Sequence, residues 1–393
     1  MITAKDLQLP QKAQTIHNAI TFAQKEGNAV AIWRNPKEGS IQMIVDFSES
    51  FDHHPEPLDD SAPGFIFAPF DSPGKTYRIK ADLHIDIDNS AASLGSWIQI
   101  DSKTENFLEC LNEFTPPETE GTISVVQDDT SRQEFISLVE KAVRAIQQGD
   151  FQKVVPSRKK HISLETPLHL GNNFLKLAEA YPSAFISVVY VPGAGVWLGA
   201  TPELLISARN NVFRTVALAG TQKYNEGISL SNVAWTQKEI EEQALVSRYI
   251  INCFKKIRLR EFEELGPKTV VAGNLLHLKT EFKVDMEATN FPDLPETMLQ
   301  LLHPTSAICG MPLAPARKFL TEEEKYDRSY FSGYLGPANV SDITELYVNL
   351  RCMHIEEKQC TLYAGAGVTE DSQPEKEWQE TEIKMNTLLN IIK

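Results

Sequence analysis

The chain has 393 residues, with 38 Lys plus Arg against 53 Asp plus Glu and a formal net charge of −15. That balance excludes a basic groove that tracks nucleic-acid phosphates. With 42% apolar and 23% charged residues the chain is also not intrinsically disordered.

The first 125 residues read as β-rich and irregular. Ala29–Trp33 and Ile41–Val45 pattern as a hairpin around the turn-like stretch Asn35–Gly39. Gly64–Ala68 and the alternating run Tyr77–Ile85 are further strands, and Phe114–Gly121, with Pro116 and Pro117, is a connector. Thr130 and Gln133 can form a capping box. It precedes Phe135, Leu138, Val139, Val143 and Ile146 at helical spacing, and Gly149 closes the helix. A strand is expected over Phe151–Arg158, with Pro156 marking an edge or bulge. A helix over Asn173–Ala180 follows.

Ala180–Pro202 is uncharged and long enough to span a bilayer, but Pro192-Gly193-Ala194-Gly195 interrupts it. The β-rich runs on either side, Phe185–Val191 and Val196–Leu198, make it a buried hairpin and no membrane span. Strands over Leu204–Ser207 and Val212–Leu218 follow. Two late helices are expected, one over Thr236–Ile257 with Ile240, Ala244, Ile251 and Phe254 along one side, one from Ser372 to near the C-terminus. Strands and helices do not alternate as in a Rossmann or TIM pattern. Five scattered cysteines without a CxxC exclude a disulfide framework and a zinc ribbon. With an N-terminus lacking the apolar core of a signal peptide, they lead us to expect a reducing cytoplasm.

Chemistry-bearing residues gather late in the chain. Glu239 and Glu242 are i,i+3 near the start of one helix, and Glu377 and Glu380 near the start of the last. Each pair shares a helix face. They can bind a hard cation such as Mg²⁺, or be solvated carboxylates that complement the helix dipole, Glu239 serving as N3 of a Thr236 capping box. Lys384 is placed for an i,i+4 pair with Glu380 or for a bound anion. Arg351 follows Tyr347, Val348, Asn349 and Leu350 in an apolar strand, where a cation needs a partner, either a protein carboxylate or a ligand's. Lys153 lies in a strand, where a desolvated amine can act as a base and most lysines merely snorkel. Glu203 ends the uncharged run, as a general acid in an apolar pocket or as a turn residue. His277 sits in an apolar stretch that suits a satisfied core histidine. Ala219–Thr221 and Ala364–Gly367 are small-residue loops where backbone can approach a ligand.

Together these pieces resemble the chorismate-utilising enzymes, which include isochorismate synthase, salicylate synthase and anthranilate synthase component I. The resemblance spans about residues 126–393. Its motifs, in the family's order, are KVVPSR (Lys153–Arg158), GATPE (Gly199–Glu203), LAGT (Leu218–Thr221), KEIEE (Lys238–Glu242), HPTSAICGMP (His303–Pro312), Arg328–Gly336, Leu350-Arg351, AGAG (Ala364–Gly367) and EWQETEIK (Glu377–Lys384). The resemblance implies an α+β fold of two large stacked β-sheets flanked by helices, with residues 1–125 integral to it and 126–393 forming the catalytic region. It implies Mg²⁺ between the carboxylate pairs, with Glu242 and Glu380 as direct ligands and Glu239 and Glu377 acting through water. Arg351, Lys384 and the backbone around Ala219, Gly220, Thr221, Gly365 and Gly367 would hold the carboxylates of chorismate, beside His277 and Phe331.

Lys153 marks the water-using branch; ammonia-using relatives carry Gln there. Lys153 would activate water for attack at C2, and Glu203 would protonate the departing C4 hydroxyl, giving isochorismate for menaquinone or catechol siderophores. Ala219 stands where aminodeoxychorismate synthases carry a Lys, and no glutaminase subunit is expected. Gln243 and Ser306 depart from the common His and Pro. Phe331 leans away from salicylate synthase, which keeps Tyr there, while Leu350 leans slightly toward it. A non-catalytic chorismate- or Mg²⁺-binding relative is the other alternative.

Overall fold

The computed structural model describes residues 9–37, 39–48, 58, 62–71, 73–94, 102–113, 121–224, 229–272 and 275–392. Helix α1 (Lys12–Glu26) leads into the hairpin β1 (Ala29–Arg34) and β2 (Ile41–Asp46), as the alternation predicts. Strands β3 (Gly64–Ala68), β4 (Tyr77–Lys80), β5 (Leu83–Asp86) and β6 (Ala91–Leu94) follow. The run Tyr77–Ile85 is therefore not one strand. It breaks at Ala81-Asp82, where the Asp82 carboxylate accepts the Phe47 N–H at 2.9 Å, and its halves join different sheets. Helix α2 (Ser102–Glu113) and β7 (Ile123–Asp128) flank the expected connector, of which 114–120 lie outside the described residues.

Helix α3 (Arg132–Gln147) starts one residue later than the sequence suggested. Ser131 is the N-cap and Glu134 closes the capping box, because both overlapping Ser/Thr-x-x-Glu/Gln patterns fit and only one can cap. Pro156 divides the next expected strand into β8 (Lys153–Val154) and β9 (Ser157–Leu164). Helix α4 (Leu170–Ala180) precedes the hairpin β10 (Phe185–Val191) and β11 (Gly195–Thr201). The uncharged run is thus a buried hairpin, and among the described residues no helix is long and apolar enough to cross a membrane.

Strands β12 (Leu204–Arg209) and β13 (Val212–Lys223) lead to helix α5 (Gln237–Lys256), then β14 (Glu263–Ala272) and β15 (Leu275–Asp285). Helix α6 (Leu294–Leu302), the short β16 (Gly310–Met311) and helix α7 (Leu313–Glu323) follow. Strands β17 (Tyr334–Ala338), β18 (Ile343–Val348), β19 (Cys352–Glu356) and β20 (Gln359–Gly365) precede the C-terminal helix α8 (Pro374–Ile392).

The fold is α+β. Ten strands pair in the order β6-β5-β2-β1-β10-β11-β19-β20-β9-β7, eight in the order β14-β15-β13-β12-β18-β17-β3-β4, and β8 pairs with β16. The sheets stack face to face. Between them lies an aromatic-rich core in which Phe185 of β10 stacks on Tyr347 of β18 at 4.3 Å, and Phe67 of β3 meets Trp197 of β11. Strands in both sheets are apolar on both faces because each sheet also has an outer helical layer. In β1, Ala29, Ala31 and Trp33 face the inter-sheet core, while Val30 and Ile32 join the outer core under α1, α2, α4 and α8. Helices α3, α5, α6 and α7 cover the other sheet. Residues before 125 supply strands to both sheets. All five cysteines are free.

Candidate active site

A cleft enclosing about 740 Å³, part of it open to solvent, lies where the ends of β11, β13 and β20 meet α5 and α8. Its first wall is a β-bulge. The register of β13 against β15 shifts between Ala219 and Gln222, and Gly220 takes a φ of 71°, in the left-handed region that suits glycine. Ala219, Gly220 and Thr221 therefore line the cleft with backbone. The bulge frees the Gly220 carbonyl, which lies 2.8 Å from His277 Nδ1 on the neighbouring strand β15. Nδ1 then carries the hydrogen and Nε2 is left as a buried acceptor without a partner. Burial, then the nearby Arg351 charge, lowers the His277 pKa to about 3, so the ring is neutral.

Glu203 sits at the junction of β11 and β12. Its N–H donates to Thr201 Oγ1 at 3.3 Å and its carbonyl accepts the Val348 N–H. The side chain faces the cleft and is 7% exposed. Burial pushes its pKa up to about 7, against the opposing charges of Lys153, Lys384 and Arg351. It is an acid poised near neutrality. Arg351 is not part of an apolar strand. It occupies the turn between β18 and β19 with φ 48°, which aims the guanidinium into the cleft; Nη1 donates to Thr387 Oγ1 at 3.4 Å. Burial lowers its pKa to about 10, with Glu380 and Glu203 holding it up.

Helix α8 contributes Glu380 and Lys384, one turn apart. Lys384 Nζ reaches Glu380 Oε1 at 2.7 Å and the Gly365 carbonyl at 2.8 Å, so the expected i,i+4 pair also ties the helix to β20. Gly365 and Gly367 line the same wall. A Cβ on Gly367 would lie 2.3 Å from Glu242 Oε1, so this glycine leaves room for the carboxylate. Phe331 also lines the cleft, stacked on Tyr363 of β20 at 5.3 Å between ring centres.

Lys153 lies under the cleft rather than on its surface. It is wholly buried, on β8 paired with β16, and donates to Glu242 Oε1 at 2.9 Å. Burial alone would raise the Glu242 carboxyl, but Lys153, then Lys238 and Lys384, bring it below its ordinary range. Glu239 and Glu377 also lie off the cleft surface. Glu239 is the N3 partner of Thr236 in a capping box and accepts from Gln222 Nε2 at 2.9 Å. Glu377, 1% exposed, is held by Lys238 at 2.5 Å. Burial and then Glu380 raise its pKa, with Lys238 opposing.

Among the described residues no group of three His, Cys, Asp or Glu side chains is gathered closely enough to hold a metal ion. The donor chemistry nevertheless fits a hard divalent cation. The pairs from α5 and α8 offer oxygen only, Glu242 and Glu380 both face the cleft, and Glu377 Oε2 is buried with no hydrogen-bond partner.

Sequence reasoning overlooked Lys238, which ties α5 to α8, and Ser157, Arg328 and Tyr363 in the lining. Lys238, Ser157 and Arg328 stand inside recognised motifs, so the signal was present without a role attached. Gln243 faces away from the cleft, where its amide donates to the Ala217 carbonyl and Thr280 Oγ1. Ser306 is wholly buried and its hydroxyl has no partner.

A family model described as chorismate binding enzyme matches residues 66–393. Isochorismate synthase EntC of Escherichia coli (strain K12) is 29% identical over 262 residues, 65% of this chain and 66% of that protein. Isochorismate synthase DhbC of Bacillus subtilis (strain 168) is 30% identical over 266 residues, 64% of this chain and 65% of that protein. The chain thus aligns over just under two-thirds of the length of these relatives. The menaquinone-specific isochorismate synthase MenF from Escherichia coli shares the fold, with a TM-score of 0.76 at 21% identity over 96% of this chain and 91% of that one. Anthranilate synthase component I from Streptococcus pneumoniae does so with a TM-score of 0.68 at 18% identity over 99% of both chains. With a match running from β3 to the C-terminal helix, this chain belongs to the chorismate-binding enzymes.

Proposed function

We propose that the protein is a Mg²⁺-dependent isochorismate synthase, an isomerase that moves the hydroxyl of chorismate from C4 to C2. The observation that carries this reading is the placement of an acid poised near pH 7, Glu203, in one cleft with Arg351 and Lys384, above a buried Lys153. Arg351, Lys384 and the backbone N–H groups around Gly220, Gly365 and Gly367 hold the substrate's carboxylates. This local cluster is how a chain of net charge −15 accepts a dianion. Lys153 takes a proton from water as its oxygen bonds to C2. The ring double bond shifts, and Glu203 gives its proton to the hydroxyl leaving C4. One water enters and one leaves, so the sequence balances as an isomerisation. His277 Nε2 offers an acceptor to a ligand hydroxyl in the same cleft. Glu242 and Glu380, backed by Glu239 and Glu377, would hold Mg²⁺, which would supply Lewis-acid chemistry at the ring carboxylate when bound.

The relatives named isochorismate synthase support this branch, as does Phe331, which brings no hydroxyl to the lining. The product would feed menaquinone or catechol siderophore synthesis, inside the cell. The test is purified protein with chorismate, with and without Mg²⁺, the products separated by chromatography. Isochorismate in equilibrium with chorismate, and no pyruvate, is the expected result. Salicylate with equimolar pyruvate would make it a salicylate synthase, and no Mg²⁺-dependent product would make it a binding relative.

A further inference from the structure

Arg158 is wholly buried on β9, directly beneath α8. Three of its contacts lie on one turn and a half of that helix. Nε donates to Thr381 Oγ1 at 2.7 Å, Nη2 donates to Glu382, and the guanidinium lies 3.6 Å over the Trp378 ring. Nη1 donates to Asp128 Oδ1 on β7 at 2.7 Å, and Lys160 Nζ holds both Glu382 oxygens at 2.8 Å. Two cations and two carboxylates thus balance between sheet and helix. Residues 377, 380 and 384 lie on another face of α8, at i, i+3 and i+7.

We propose that Arg158 is a positioning residue, which sets the rotation and register of α8 and so aims Glu380 and Lys384 at the cleft and sets Glu377 beneath its surface. This rests on the reading of those three as the metal- and substrate-holding groups. A packing role alone does not need this side chain, since an apolar residue of similar volume replaces a buried ion pair at little cost. The planar fork and the stack on Trp378 are specific to arginine and set an angle as well as a distance. Helix residues are 100° apart, so a small rotation displaces the side chains on the cleft face by more than catalysis tolerates.

The test is Arg158→Lys, which keeps the charge and loses the fork. Amide exchange over residues 374–392, read by mass spectrometry, is expected to rise while α3 and α5 keep their protection. The apparent Mg²⁺ affinity in turnover is expected to fall roughly 10- to 100-fold, as for other residues that orient ligands. Unchanged exchange in α8, or loosened exchange with parental kcat/KM and Mg²⁺ affinity, overturns the proposal. If Arg158→Lys does not fold, Glu382→Gln and Asp128→Asn decide. Each removes one partly exposed partner, but only Glu382 lies on α8. Glu382→Gln is expected to weaken Mg²⁺ affinity more than Asp128→Asn does, and equal effects refute positioning. A parent protein that shows no turnover refutes the proposed function instead, and exchange over α8 still decides the role of Arg158.

Discussion

At the scale of single residues, Lys153 and Glu203 carry the proposed chemistry. Lys153→Met keeps the apolar stem and removes the base. Its kcat for isochorismate formation is expected to fall by roughly 10²–10⁴, the usual worth of a positioned acid or base, while KM for chorismate stays within a few-fold. A parental kcat in a folded Lys153→Met protein would end this assignment. Glu203 acts when protonated, so with a pKa raised to about 7 the rate should decline as pH rises through 7. Glu203→Gln should lose that limb along with most of kcat. Stability follows the same sign. A buried acid whose folded pKa is raised keeps its proton where the unfolded chain has lost it, so stability is fully present below the unfolded pKa, near 4.5, and is lost up to about 7. Thermal melts at pH 8 should therefore find Glu203→Gln more stable than the parent, by an amount on the order of 3 kcal/mol. Both residues were legible in sequence because each stands in a short motif with a known order. The neutral tautomer of His277 was not, since it depends on a carbonyl that a bulge exposes 57 positions away.

At the scale of elements, α5 shows what periodicity reads and what it misses. The helix and its Thr236 capping box appear as expected. The buried face is only partly the expected one, for Phe254 is buried but Ile240 is 47% exposed and Ala244 is exposed, while Gln243, Val246, Tyr249 and Ile250 are buried. Apolar spacing gives the period of a helix; its phase is set by what the neighbouring strands offer. Here Ala217 and Thr280 accept hydrogen bonds from the Gln243 Nε2, which offsets part of the cost of burying it, while its Oε1 has no partner. The cap is testable. Thr236→Ala should cost about 0.5–2 kcal/mol in urea unfolding. Because Thr236 also fixes Glu239, it should weaken Mg²⁺ activation as well; a stability loss with unchanged Mg²⁺ dependence would separate Glu239 from the metal.

At the scale of the whole molecule, two stacked sheets with outer helices bring together motifs that lie more than 200 positions apart in the chain. The inter-sheet core supports this arrangement, and Phe185 is wholly buried at its centre, stacked on Tyr347. Phe185→Ala should destabilise the protein by roughly 3–5 kcal/mol. Because β10 sits beside β11, which ends two residues before Glu203, the loss should appear as one transition by fluorescence and by activity; separate midpoints would mean that the site is insulated from the core.

The sequence by itself determined the elements whose signals are local, including the first hairpin, the helices α3, α5 and α8, and the motifs that hold Lys153, Glu203 and the paired carboxylates. Caps, turns and side-chain periodicity act within a few residues, so they are written in contiguous stretches. Only the tertiary structure decided that Tyr77–Ile85 divides between two sheets, that Arg351 stands in a left-handed turn, that Lys153 is buried against Glu242, and that Arg158 locks α8. Each depends on a partner far along the chain, and a distant partner supplies its burial, charge or hydrogen bond only after the sheets have closed.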